Sequence, residues 1–420
     1  MTKLDARIRL AFDRLAGDLP ALGLAVSGGG DSVAMLHLAA QWAGGRRIMV
    51  ATVDHGLRPE SAAEAAEVGR AAQALGLPHV VLHWARESTT GNVMAQARDA
   101  RLRLLSEWAQ RNDLPAIALG HTADDQAETL LMRLARGAGI DGLSGMAPCR
   151  DALGMRWLRP LLDIHRHELR DWLIDRSITW IDDPSNDNFD FERVRTRQAI
   201  AALGLDGAAL ARSASHIAEA RQALSHYAAQ VARTAIADRG SLILDRGAYH
   251  DAPVELRRRL LVAGCRWITG AAYPPRRATL VHAMRAVDTG ARVTLDGALV
   301  TPAATTLRLT REAAAAMRAE PVSTGVWDHR WKLPQLAPGL HVAALGHEAL
   351  ADLPWRRLGL MRDEAAASPA IWQGKRLIDA PILRPRAYAD GTLADFRRPP
   401  LFAPQPIRGA ADFHSLVKAH

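Results

Sequence analysis

The residues near the start of the chain best suited to chemistry are Ser27, Gly28, Gly29, Gly30, Asp31 and Ser32, set between an apolar run (Leu22 to Val26) and a helical pattern opening near Asp31. Consecutive glycines let a backbone pass close to a bulky anion. Amides in a helix's first turn, with the Ser27 and Ser32 hydroxyls, can donate hydrogen bonds to that anion. The loop therefore reads as a phosphate cradle, with a plain packing turn as the competing reading. It is not a Walker A loop, which needs G-x-x-x-x-G-K-[ST], and it lacks the G-x-G-x-x-G spacing of a dinucleotide site.

A second group is acidic. In Gly120-His121-Thr122-Ala123-Asp124-Asp125-Gln126-Ala127-Glu128-Thr129, Thr122 suits a helix N-cap with Asp124 and Asp125 in the first turn, where carboxylates are favoured. Capping uses one or two acidic groups. Asp125 and Glu128, at i and i+3, share a face and can hold an ammonium group or a metal. Asp54, followed by His55 and Gly56, closes another apolar run. Arg98 and Arg101 stand one helical turn apart, where Arg98 either reaches a phosphate or is solvated. Arg193, Arg195 and Arg197 alternate before a helix, and Arg257, Arg258 and Arg259 are contiguous on a helical pattern. The first cluster has a density suited to nucleic-acid phosphates, against the alternative of a solvated charged face; the second is by itself an ordinary solvated helix face. No serine or cysteine nucleophile with an adjacent base stands out.

The elements that must position these groups alternate. Strand patterns at 47–54, 79–85 and 116–120 interleave with helical patterns at 33–42, 61–75, 92–111 and 122–136, with Ser61 and Glu64 spaced as a capping box. Alternation of this kind calls for a parallel sheet covered on both faces. Ligands of such sheets bind beyond the carboxyl ends of the strands, where the glycine loop, Asp54 and Gly120-His121 all fall.

The hexapeptide resembles the SGGxDS loop of the PP-loop ATP pyrophosphatases. Within that group, Asp54-His55-Gly56-Leu57-Arg58, the stretch from Gly120 to Thr129 with its continuation through Gly137 and Gly139–Leu143, Arg159-Pro160-Leu161-Leu162 and Trp180-Ile181-Asp182-Asp183-Pro184-Ser185-Asn186 resemble the tRNA(Ile)-lysidine synthase family. Leu102 departs from that family's tyrosine. The resemblance implies an α/β fold with an N-terminal doubly wound parallel sheet of the PP-loop type, followed by a helical domain and a small C-terminal domain. It implies a tRNA-modifying ligase: ATP adenylates C2 of the wobble cytidine of tRNA(Ile) with a CAU anticodon, pyrophosphate leaves, and free L-lysine displaces AMP. Under it, Ser27 to Ser32 and Asp54 bind ATP, and Asp31, Asp125, Glu128 and Arg98 serve catalysis. Arg193, Arg195, Arg197 and Arg257 to Arg259 contact tRNA. Mg²⁺ is implied, its ligand left open between Asp31, Asp124 or neither; a dimer is left open as well.

Length and composition agree with several domains. The chain has 420 residues, 48% of them hydrophobic, and a formal net charge of +8 that suits an acidic polymer as partner. Cys149 and Cys265 are the only cysteines, which excludes a disulfide scaffold, a four-cysteine zinc site and a cysteine-ligated cluster. No apolar run has membrane-spanning length, and a soluble cytoplasmic protein is expected. Boundaries are expected at 1–205 for the ATP-binding catalytic part, 206–311 for a helical tRNA-binding part and 312–420 for a small C-terminal domain. The rivals are a sulfur-inserting tRNA enzyme, an ammonia-using ATP pyrophosphatase and a non-catalytic ATP-dependent RNA-binding protein.

Overall fold

The structure, a computed structural model, describes residues 2–56, 59–85, 93–182, 189–351, 353–383 and 404–418. Leu57 and Arg58, and the turn residues Asp183, Pro184, Ser185 and Asn186, lie outside the described residues. The chain divides into two compact units, Met1–Glu219 and Ala220–His420.

In the first unit the order is α1 (Lys3–Ala16), β1 (Ala21–Ala25), α2 (Gly30–Trp42), β2 (Arg47–Asp54), α3 (Ser61–Ala74), β3 (His79–His83), α4 (Val93–Arg111), β4 (Ala116–Leu119) and α5 (Ala123–Ala135). Then come α6 (Ile140–Leu143), β5 (Cys149–Ala152), β6 (Met155–Leu158), α7 (Arg166–Ile174), α8 (Glu192–Ala202) and α9 (Gly207–Val231), within which the division falls. One six-stranded sheet has the order β3-β2-β1-β4-β6-β5, parallel except for the β5–β6 hairpin. Every residue of β1 and β4 is buried, as expected of central strands covered on both faces. One face packs Ile8, Phe12, Met35, Leu36 and Trp172 from α1, α2 and α7; the other packs Leu105 and Trp108 from α4. Gly23 makes that second face possible, because a Cβ on β1 would come 2.9 Å from the Trp108 ring. The chain reverses direction of travel across the sheet between β1 and β4, and this switch point is where a ligand crevice opens.

The second unit contains β7 (Ile236–Asp238), β8 (Ser241–Asp245), α10 (Arg246–Asp251), α11 (Val254–Thr269), α12 (Arg277–Asp288), β9 (Val293–Leu295), β10 (Ala298–Pro302) and β11 (Thr306–Arg311). They are followed by α13 (Ala313–Met317), β12 (Gly325–Trp327), β13 (Trp331–Leu333), β14 (His341–Ala344), α14 (Arg362–Ala366), β15 (Pro369–Gln373), β16 (Arg376–Asp379), β17 (Gln405–Pro406) and α15 (Ala410–Lys418). The helical character expected of 206–311 is present in α9 to α12. Beside it stands an antiparallel sheet, β7-β8-β11-β10-β9, that the sequence did not announce. Its strands are three to six residues long, too short to display a period of two. α11 buries Leu260, Leu261 and Ile268 in the core over this sheet, and α15 adds Phe413 and Val417 to the same core. Two three-stranded sheets, β12-β13-β17 and β14-β15-β16, complete the unit.

Candidate active site

The crevice at the switch point is lined, among the described residues, by Ser27, Gly29, Gly30, Asp31 and Ser32 from the glycine loop, and by Gly120, His121 and Asp125 from the β4–α5 turn. Arg101, Arg166, Arg193 and Arg197 supply positive charge, and Glu64, Arg170, Ile181 and Asp182 form its rim. The loop and the acidic stretch, 90 positions apart in sequence, thus share one pocket.

The loop is shaped by its own atoms. Gly28 has φ +92°, and a Cβ there would fall 2.7 Å from Ile181 Cδ1, while its carbonyl accepts from the Ile181 amide at 3.0 Å. Only glycine satisfies both conditions. At Gly29, the N-cap of α2, a Cβ would meet nothing nearer than Ser27 Oγ at 3.9 Å. The protein does not fill the space above Gly29, which faces the pocket. Ser32 was expected to donate to a ligand; instead its hydroxyl donates to the Gly29 carbonyl at 2.8 Å and accepts from the Ser27 amide at 3.2 Å. It braces the cradle. Gly120 lets β4 approach so closely that a Cβ would lie 3.1 Å from Ser32 Cα.

The carboxylates are not open to solvent. Asp125 completes a capping box: its Oδ2 accepts from the Thr122 amide at 2.8 Å and from Thr122 Oγ1 at 3.0 Å. Its Oδ1 lies 3.7 Å from both Arg166 and Arg193. Glu128, 1% exposed, is met by Arg197 at 2.9 Å, Arg193 at 3.4 Å and Arg166 at 3.7 Å. The protein's own guanidinium groups thus stand around the pair expected to hold an ammonium group or a metal, while Glu128 Oε2 is buried with no hydrogen-bond partner among the described residues. Asp31 Oδ2 accepts from Arg166 Nε at 3.0 Å, while Oδ1 is buried with no hydrogen-bond partner among the described residues. Burial raises Asp31 above the usual carboxylate value, Arg166 opposes, and Asp125 and Asp124 add to the rise. Burial likewise raises Glu128, helped by Asp125. It would raise Asp125 too, but Arg193, His121, Arg166 and the Thr122 amide outweigh it and hold Asp125 low. Burial drives His121 down to about 3, Asp125 opposing and Arg159 and Arg101 assisting, so its imidazole is neutral; its Nδ1 is buried without a hydrogen-bond partner among the described residues.

Several other expected residues stand elsewhere. Asp54 is not in the pocket lining; it accepts from the Gly56 amide at 2.8 Å, and a Ser61 hydroxyl bond and that amide hold its acidity low. Ser61 is thus the first residue of α3 rather than its cap, a position held by Glu60. Arg98 is exposed, and Arg101 faces the pocket in its place. Arg195 turns away from Arg193 and Arg197 and donates to the carbonyls of Phe189 and Asp190. Arg257 to Arg259 form no free basic face. Arg257 pairs with Asp288 at 2.6 Å, Arg258 with Glu255 at 2.7 Å, and Arg259 is fully buried against Glu255 and Ser225. Contiguous arginines on a helix point in three directions, so α11 necessarily turns one of them into the core.

Sequence reasoning missed Arg166, the residue that ties the site together. Beyond its contacts to Asp31, Asp125 and Glu128, its amide donates to Asp124 Oδ2 at 2.8 Å. The only signal was indirect: three acidic side chains on one helix opening require a counter-charge, and α7 begins where one could be supplied.

A PP-loop domain model matches residues 4–203. The chain is 42% identical to the tRNA(Ile)-lysidine synthase of Ruegeria pomeroyi over 95% of its own length and 94% of that protein's. It is 43% identical to the tRNA(Ile)-lysidine synthase of Bradyrhizobium diazoefficiens, over 58% of this chain and 72% of that one. With that of the Wolbachia of Brugia malayi it shares 33% identity, over 74% and 76%. An ATP-pyrophosphatase loop at the switch point, an acidic helix opening opposite it and near full-length similarity converge: the chain belongs to the tRNA(Ile)-lysidine synthase family of PP-loop proteins.

Proposed function

We propose that the protein forms lysidine on tRNA(Ile), using ATP to activate C2 of the CAU wobble cytidine and free L-lysine as the amine donor. The observation that carries this reading is the near full-length similarity to a tRNA(Ile)-lysidine synthase, joined to a pocket that presents a phosphate cradle and a wall of arginines interleaved with carboxylates. The cytidine O2 attacks the α-phosphate, the bond to the β-phosphate breaks, and pyrophosphate leaves. Gly29, Gly30 and the first turn of α2 hold the leaving phosphates by backbone amides, which need no reorganisation during the reaction. The lysine amine then adds to C2 and AMP departs.

The attacking amine must be uncharged. Arg101, Arg166, Arg193 and Arg197 around the pocket disfavour an ammonium group there and so favour the neutral nucleophile. Asp125 and Glu128 act as positioning residues that hold three of these guanidinium groups. His121 can accept a hydrogen bond but, with its affinity for protons so reduced, cannot hold the amine's proton near neutrality. Asp31 Oδ1, a buried carboxylate oxygen without a partner, fits Mg²⁺, which commonly takes one or two carboxylates and completes its shell with substrate phosphates and water. Bound there, Mg²⁺ would neutralise charge on the pyrophosphate. The test is product release: pyrophosphate should require tRNA(Ile), and AMP should require lysine as well. Ammonium or a sulfur donor replacing lysine would overturn the reading in favour of a relative with other chemistry.

A further inference from the structure

Arg98 and Arg101 on α4, Arg150 on β5 and Arg159 directly after β6 have no carboxylate partner within ion-pair distance among the described residues. Arg159 folds back onto the entry to the β5–β6 hairpin, its amide donating to the Pro148 carbonyl at 2.8 Å and its Nη1 to the Ala147 carbonyl at 2.7 Å. Its Nε is buried without a hydrogen-bond partner among the described residues. Arg150 and Arg98 are exposed, whereas Arg101, one turn beyond Arg98, lines the pocket. Arg98 and Arg101 are thus joined by one turn of α4, and Arg150 and Arg159 by the β5–β6 hairpin. Burial and repulsion from Arg150 and Arg98 draw Arg159 below the usual guanidinium value, and burial and repulsion from Arg98 do the same to Arg101.

We infer that Arg150, Arg159 and Arg98 are a track for the sugar–phosphate backbone of the substrate RNA, leading the target nucleotide to Arg101 at the pocket wall. Unneutralised cations placed in series repel one another and are relieved by a polyanion, and guanidinium groups suit phosphodiesters in particular. The phosphates of ATP do not account for the series, since Arg98 and Arg150 stand outside the pocket lining. This deepens the proposed function and rests on it for the identity of the RNA. Of the arginines expected from sequence to meet tRNA, Arg257 to Arg259 are internally paired, and Arg193 and Arg197 face Asp125 and Glu128.

The hairpin carries its own reporter, because Cys149 is exposed beside Arg150 while Cys265 is buried. In the full-length protein, saturating tRNA(Ile) should slow alkylation of Cys149 by iodoacetamide several-fold, whereas ATP with lysine should not. Arg98→Ala/Arg150→Ala should bind tRNA(Ile) more weakly, and the slope of log affinity against log salt should flatten by roughly 0.7 to 0.9 for each phosphate contact removed. ATP affinity measured without tRNA should be unchanged, and Arg150→Glu should weaken tRNA binding further than Arg150→Ala. Unaltered affinity and slope in the double variant, or undiminished alkylation under saturating tRNA, overturns the track. A wild-type protein that binds tRNA and protects Cys149, yet shows no lysine-dependent ATP turnover, overturns the functional reading and leaves the track standing.

Discussion

Arg166 Nε donates to Asp31 Oδ2 at 3.0 Å, so the first turn of α7 is fastened to the first turn of α2, at the mouth of the phosphate loop. The same guanidinium also faces Asp125 and Glu128, which are largely buried. Replacing it by Met keeps the aliphatic stem and leaves three carboxylates under-compensated. Arg166→Met should lose on the order of 3 kcal/mol of stability, as expected when one partner of a buried ionic cluster is removed. Denaturant unfolding and ATP binding would check this; a variant with wild-type stability and ATP affinity would show Arg166 to be incidental.

Gly28 and Gly29 should respond to substitution in opposite ways. Gly28→Ala forces a Cβ into a left-handed conformation and against Ile181, so folding stability should fall by about 1 kcal/mol or more. Gly29→Val places its side chain in space bounded by no protein atom closer than Ser27 Oγ, so the variant should fold and fail to bind ATP. Calorimetric titration of ATP into folded Gly29→Val decides whether that space belongs to the nucleotide; wild-type affinity would mean it does not.

The raised proton affinity of Glu128 has a definite sign in stability. A carboxyl that holds its proton more tightly when folded favours the folded state while protonated; the advantage is lost as pH rises above its ordinary value of 4.5 and stays lost above the folded-state value. Glutamine has no such dependence. Comparing unfolding free energies at about pH 4 and about pH 7, the difference between wild type and Glu128→Gln should move in the variant's favour at the higher pH. Movement towards wild type would mean that Arg197, Arg193 and Arg166 outweigh burial.

Arg259→Ala separates a structural arginine from an RNA contact. Arg259 is fully buried, 3.1 Å from Glu255 and 3.2 Å from Ser225 Oγ. The variant should lose on the order of 3 kcal/mol in unfolding experiments, with tRNA affinity per folded molecule unchanged. A stable variant with weakened tRNA binding would restore Arg259 to the RNA surface.

Much of the first unit was legible because the parallel sheet writes itself in uninterrupted apolar runs such as Ala21–Ala25 and Ala116–Leu119, each followed by a polar site segment. The loop was legible for the same reason, its glycines falling where β1 must turn into α2. Arg166 was not, since its meaning depends on a partner 135 positions away and its local text is that of any arginine opening a helix. Asp125 and Glu128 were legible as a pair, but not that Arg193 and Arg197, on a helix far along the chain, reach them. The short strands of the second unit failed on length, and Arg257 to Arg259 failed because composition does not say which way a helix face is turned.

Phe413 and Val417 on α15 are fully buried in the core that also contains residues of α11 and of β8 to β11, and Gly409, just before that helix, accepts from the Trp267 indole at 3.0 Å. The interior of the second unit is consequently closed by residues made more than a hundred positions after the strands they cover. On the ribosome the contiguous first unit can condense while translation continues, but the second cannot seal its apolar interior until α15 has been made and has cleared the exit tunnel. A stop codon just before α15 would leave this unit with an open core, a substrate for chaperones and proteases.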